Sequence, residues 1–114
     1  MSLPEFTIRL IENKLIEYCD QKIPPHARDQ IKLTYKINGN KVHLIEARPY
    51  HRDPTIWTET PIAQIRFDQV TKKWALFFMD RNSNWHLYDI VKPSANFEDI
   101  LKELDQDPTG IFWG

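Results

Sequence analysis

The chain has 114 residues, of which 41% are apolar, with four Trp, six Phe and four Tyr; this is enough to close one hydrophobic core without disulfides or a structural metal, and too little for two. Lys+Arg 15 against Asp+Glu 16 leaves no global field for a polyanion or an anionic membrane, so a nucleic-acid partner would need a local patch. The lone Cys19 excludes an intramolecular disulfide and a Cys-rich zinc site, and it fits a reducing compartment. No apolar run approaches the ~18–20 residues of a membrane span, and the N-terminus has no signal-peptide profile. The expectation is one cytoplasmic domain over residues 1–114 with no membrane contact, in which Met1-Ser2-Leu3 resembles a cloning scar.

From about Pro4 to Ile23 the spacing predicts a helix, opened by a proline suited to a first turn and stopped by Pro24-Pro25. At ~100° per residue, Ile8, Ile11, Leu15, Ile16, Tyr18, Cys19 and Ile23 share one face, and Glu12 intrudes among them. Ile31, Leu33, Tyr35 and Ile37 then alternate with Lys32, Thr34 and Lys36, as in a half-buried strand. Asn38-Gly39 reads as the centre of a type I′ turn, which would set Tyr35 against Val42, Leu33 against Leu44 and Ile31 against Glu46. In that register Lys36 meets Lys41 and Thr34 meets His43, on a polar, mildly basic face.

Residues 49–61 hold three prolines with no useful period and are predicted to be a long surface connection. Two further hairpins follow, Ile62–Asp68 with Trp74–Asp80, and that strand with Trp85–Asp89. Pairing Phe67 with Trp74 and Asp80 with Trp85 gives a core face of Ala63, Ile65, Phe67, Trp74, Leu76, Phe78, Trp85 and Leu87. The opposite face, with Ile62, Gln64, Arg66, Ala75, Phe77, Met79, His86 and Tyr88, is neither wet nor dry, so something should cover it. Asn96 is the expected N-cap of a last helix over about Phe97–Leu104, with Glu98 and Asp99 at the positive end of its dipole. A hydrophobic tail, Ile111-Phe112-Trp113, should dock. The fold class is therefore α+β: an N-terminal helix, an antiparallel meander of about five strands in hairpins, a short C-terminal helix and a docked aromatic tail.

With these segments placed, several strings resemble domain-of-unknown-function family 3024, a bacterial family of short proteins. They are Pro24-Pro25-His26 with Arg28-Asp29-Gln30, Glu46-Ala47-Arg48-Pro49, Ala63-Gln64-Ile65-Arg66, Asp80-Arg81-Asn82, Trp85-His86-Leu87-Tyr88-Asp89 and the closing Asp107–Gly114. The closing string is the most specific, because so many constrained and aromatic residues rarely coincide. The resemblance implies a short bacterial protein and brings with it no activity, cofactor or catalytic residue.

Two constellations stand out. Glu46, Arg48, Gln64, Arg66, Asp80, Arg81 and Asn82 could gather at one end of the sheet, either as a structural ion-pair network or as a site whose arginines hold an anion in bidentate fashion. On the mixed face, the register makes one row of Gln64, Phe77 and Tyr88 and another of Ile62, Met79 and His86. Aromatics there could stack bases, but burial by self-association, a helix or the tail is favoured over nucleic acid. His86 beside Tyr88 could titrate near neutrality.

The histidines His26, His43, His51 and His86 are too scattered for a metal motif, no Ser or Cys sits in a nucleophile setting, and three glycines cannot build a phosphate-binding loop. No cofactor, metal or catalytic residue is expected. The favoured reading is a non-enzymatic binding or interaction module, with Glu46, Arg48, Gln64, Arg66, Phe77, Asp80, Arg81, His86 and Tyr88 as binding candidates and a homodimer or another protein as partner. The alternative is a metal-dependent enzyme acting on nucleic acid, motivated by Glu12, Glu46, Asp68 and Asp80 and by a basic residue two after Glu46 and Gln64.

Overall fold

A computed structural model describes residues 3–113 and consists of a five-stranded antiparallel sheet with two helices on one face. Met1 and Ser2 of the expected scar, and Gly114 of the closing string, lie outside the described residues, whereas Leu3 is buried in the core. The strands β1 (Lys32–Asn38), β2 (Lys41–Tyr50), β3 (Asp53–Asp68), β4 (Lys73–Met79) and β5 (Trp85–Leu87) lie in the order of the chain, a simple meander. Helix α1 (Glu5–Lys22) precedes the sheet, a short 3₁₀ turn at Pro25–Ala27 turns the chain into it, and α2 (Phe97–Gln106) follows. The α+β class and the docked tail are as the sequence predicts.

Helix α1 ends where Pro24-Pro25 removes the donors a further turn would need. Its buried residues are Ile11 and Leu15, flanked by Ile8, Tyr18 and Cys19. The buried arc is therefore centred between Ile11 and Leu15 rather than on Glu12. That rotation leaves Ile16 54% exposed and sets Glu12 at the margin, where its Oε2 accepts a 2.9 Å hydrogen bond from the Tyr35 hydroxyl. Burial and the neighbouring Glu12 carboxylate both raise the Tyr35 pKa.

Three register corrections decide which side chains share a face. The first concerns the β1–β2 turn, which is centred on Gly39-Asn40, with Asn38 opposite Lys41. Gly39 has φ 63° and Asn40 is not left-handed, the type II′ pattern. The Asn40 side chain donates to Phe67 O at 2.8 Å and its carbonyl accepts from Phe67 N at 2.9 Å, so β3 holds this turn in place. Tyr35 consequently faces Leu44, Leu33 faces Glu46, and Lys36 faces His43.

The second correction is that residues 49–61 are not a loop: they belong to a long β2–β3 hairpin that closes at Tyr50 opposite Asp53. Pro49, Pro54 and Pro61 are tolerated because β1 starts only at Lys32, opposite Ala47, and β4 ends at Met79, so no third strand needs an N–H from them. A register shift between Leu44 and Ile45 adds one residue to β3 there. The hairpin extends past its neighbours as an arm and helps to give the molecule its 46 × 30 × 25 Å extents.

The third correction lies at the last hairpin. Phe67 opposes Trp74 as expected, but Trp85 opposes Met79 rather than Asp80. Five residues, Asp80–Asn84, form the turn; Asp80 Oδ1 accepts from the backbone N–H groups of Asn82 and Asn84, and Ser83 takes φ 65°. A one-residue slip moves every β5 side chain to the other face. Trp85 and Leu87 therefore stand with Phe77 and Met79, while His86 and Tyr88, expected on the mixed face, lie on the helix-covered side.

That side is the core. Val42, Leu44, Ala63, Ile65 and Leu76 are fully buried beneath Ile11, Leu15, Ile100 and Leu104 of the helices. Asn96 caps α2 by accepting from Glu98 N at 3.0 Å. At the other end Asp107 turns left-handed, φ 43°, and its carboxylate accepts from Phe112 N and Trp113 N, which folds the tail back over the core. Trp113 Nε1 donates to Leu104 O, and Phe112 meets the buried Tyr88 edge-on, 5.1 Å between centroids. The Tyr88 hydroxyl bonds Thr109 Oγ1 at 2.8 Å, so the tail supplies both the apolar contact and the polar partner that a buried tyrosine needs. No described helix is long and apolar enough to cross a membrane.

Candidate binding face

The uncovered face of the sheet is assembled from alternate residues of all five strands. β1 contributes Lys32 and Lys36, β2 Lys41 and His43, β3 Gln64 and Arg66, β4 Phe77 and Met79, and β5 Trp85 and Leu87, as the cross-strand pairing sets them. Neither the tail nor a helix covers it.

Its centre is Gln64, only 2% exposed although it points away from the core. Gln64 Oε1 accepts from Arg66 Nε, and since a guanidinium can only donate, the amide nitrogen is directed the other way. It meets His43 Nε2 at 2.8 Å, so the imidazole accepts there and carries its proton on Nδ1. Partial burial, reinforced by Lys41 and Arg66, lowers the His43 pKa and keeps the ring neutral, as this bond requires. The His43 ring lies 5.7 Å from the Trp85 ring, so the indole reaches across β4 and β3. Arg66 lies over Phe77, with Cζ 3.9 Å from the ring centroid. Among the described residues Arg66 makes no ion pair. An open cleft of about 320 Å³, lined in part by Arg66, Ala75 and Phe77, adjoins this pair.

The same face continues onto the hairpin arm. Lys32 Nζ sits 4.0 Å above the Trp57 ring, and Lys36 Nζ reaches Glu59 Oε1 at 3.4 Å. These contacts place Trp57 and Glu59 beside β1 on the outer side, as their pairing with Pro49 and Ala47 requires.

The nine candidate residues fall into separate groups. Gln64, Arg66 and Phe77 converge as described. Among the described residues Glu46 and Arg48 pair only with each other, 2.6 Å apart at the base of the arm, with the Arg48 side chain 61% exposed. Asp80 belongs to the β4–β5 turn, where it accepts from His86 Nε2 at 2.6 Å; the Asn84 backbone bond, then His86, hold its carboxyl below the usual range. His86 itself stacks on Phe78, 5.5 Å away. Arg81 is exposed in that turn and Tyr88 is buried beneath the tail.

The carboxylates do not gather. Glu46 opposes Thr60, and Asp68 lies eight residues farther along β3, roughly 26 Å at the rise of an extended strand. Among the described residues no three of His, Cys, Asp and Glu are placed to hold a metal ion. Cys19 is half-buried, and desolvation pushes its thiol up to about 11, the reverse of nucleophile activation.

His43 and Trp85 were not among the sequence candidates. His43 was legible through its strand alternation with Val42 and Leu44; Trp85 was hidden by the five-residue turn.

The chain belongs to a family described as "Domain of unknown function (DUF3024)", whose model matches residues 3–114. No curated protein and no solved structure matches it.

Proposed function

We propose that this protein is a cytoplasmic, non-enzymatic binding module that engages its partner through the uncovered sheet face. The observation that carries this reading is Arg66, stacked on Phe77 and fixed through Nε by the buried Gln64, yet without a carboxylate partner among the described residues. A surface arginine is ordinarily mobile, and ordering it costs side-chain entropy. Here the stacking and the Gln64–His43 chain have met that cost before any ligand arrives, which favours binding by preorganisation. The metal-dependent alternative needs a carboxylate cluster, and among the described residues no three His, Cys, Asp or Glu side chains are placed to supply one.

The test combines a thermal-shift panel of nucleotides, oligonucleotides and acidic and basic peptides with sedimentation across a concentration series. The expected result is a saturable stabilisation, or a self-association, that is lost in Arg66→Ala and in Phe77→Ala while both variants remain folded. A flat panel with a monomer throughout, or binding indifferent to both substitutions, refutes the reading.

A further inference from the structure

Resting on that reading of the sheet face, we infer that its partner is single-stranded nucleic acid. The near-neutral whole-chain charge conceals a strong division. Between Trp57 and the Asn40 end of the sheet, Lys32, Lys36, Lys41, Arg66 and Lys73 occupy the uncovered face, against Glu59 and Asp68 among the described residues. This surplus of three positive charges sits on a chain whose formal net charge is −1. Both acids are already engaged: Glu59 by Lys36, and Asp68 by the Val70 and Thr71 backbone N–H groups of its own turn. The opposite side is acidic, α2 alone carrying Glu98, Asp99, Glu103 and Asp105 against Lys102. A polyanion is thus oriented toward one face, even though the protein as a whole would not attract it.

The aromatic groups narrow the class further. Phe77 carries Arg66 at 3.9 Å, Trp57 carries Lys32 at 4.0 Å, and Trp85 lies beside the neutral His43 at 5.7 Å. All three rings are only partly buried. Along β3, Trp57 is seven residues from Gln64, the residue opposite Phe77, so the first two platforms stand roughly 23 Å apart on one face. Rings with a cation at hand suit unpaired bases, whose faces are free to stack while the adjacent phosphates meet Lys and Arg. In duplex those faces are already occupied. Phe77, Met79, Trp85 and Leu87 alone would also suit a protein partner, whose interfaces favour aromatics, Met and Arg but are depleted in Lys; the four lysines around them favour a polyanion instead.

The experiment is fluorescence anisotropy of the full chain with labelled mixed-sequence single-stranded DNA and RNA about 12 nucleotides long, within the span of known single-strand sites. The duplex of the same sequence and poly-glutamate serve as comparison probes. Single strands should bind, and affinity should fall roughly 20- to 50-fold between ~50 and ~200 mM salt, as expected for release of counterions from three or four phosphates. Phe77→Ala should weaken binding about 5- to 100-fold through lost stacking. Lys41→Gln and Lys73→Gln change exposed lysines and do not endanger the fold; each should weaken binding severalfold and flatten the salt dependence.

Duplex or poly-glutamate binding as tightly as the single strands overturns the inference, as does no single-strand binding at low salt. If single strands fail while another probe from the panel, or self-association, depends on Arg66 and Phe77, the partner assigned here is wrong and the binding face stands. Oligonucleotide binding that is unchanged in every variant removes both.

Discussion

The two faces of one sheet are held by different physics. On the covered face Val42, Leu44, Ile65 and Leu76 vanish beneath two helices and the tail, and the register there is held because a slip would expose them all. On the bare face order comes from a chain of directional contacts, His43 to Gln64 to Arg66 to Phe77, with Trp85 laid against one end. The first arrangement is strong and insensitive to the partner's chemistry. The second leaves cationic donors beside partly exposed rings, at the cost of contributing little to stability.

The contrast predicts its largest effect on neighbouring residues of β4. Leu76→Ala should cost about 2–5 kcal/mol in chemical denaturation, because a fully buried site collapses poorly around a cavity. Phe77→Ala, one residue on and facing outward, should cost about 1 kcal/mol, the scale of an exposed cation–π contact with modest burial. Equal losses would mean that the bare face is a second core.

The tail sharpens the same comparison from the covered side. Asp107→Ala removes the carboxylate that receives Phe112 N and Trp113 N, and leaves alanine in a left-handed conformation. A loss of about 2 kcal/mol is expected, with a shift in tryptophan emission as Trp113 is released. Asp107→Asn, which tolerates the backbone and keeps one acceptor, should lose less. A tail that stays docked in Asp107→Ala would show that the Phe112–Tyr88 contact and the hydrogen bonds of Thr109 and Trp113 Nε1 suffice without the carboxylate.

The smallest effect is the pH response of the bare face. His43 is held below its ordinary value near 6.5 by burial, Lys41 and Arg66, so the unfolded chain takes up this proton first. Its contribution to stability is intact above that value, declines as the pH falls below it, and levels off once the folded protein also protonates. His43→Gln should flatten this part of the stability–pH curve, and an NMR titration should place His43 below 6.5. A His43 that titrates above 6.5 would reverse the hydrogen-bond polarity through Gln64.

Much of the covered side was legible. Pro4 and Pro24-Pro25 delimit α1, Asn96 marks the start of α2, and the alternation from Ala63 to Phe67 and from Trp74 to Phe78 identifies the central core strands, because these signals are local. The bare face was legible in part: Gln64, Arg66 and Phe77 were placed correctly, since the four-residue connection Gln69–Lys72 left little latitude in pairing. Trp85 was not. Its alternation with His86, Leu87 and Tyr88 is equally good in either phase, and hydrophobicity alone would bury Trp85 and Leu87.

The composition and period of the sequence by themselves determined the α+β class, the two helices, the hairpin meander and the docking of an aromatic tail. Tertiary structure decided which side chains face which way. Asn40 is drawn into the β1–β2 turn because Phe67 on β3 bonds to it, and proline-rich residues 49–61 form strands because no third strand demands their missing donors. Tyr88 turns inward because Phe112 and Thr109, more than twenty residues away, offer it a ring edge and a hydroxyl. A charge count is equally blind to direction: the same fifteen basic and sixteen acidic residues become a basic sheet face only when β1 to β4 align their lysines and arginine on one side.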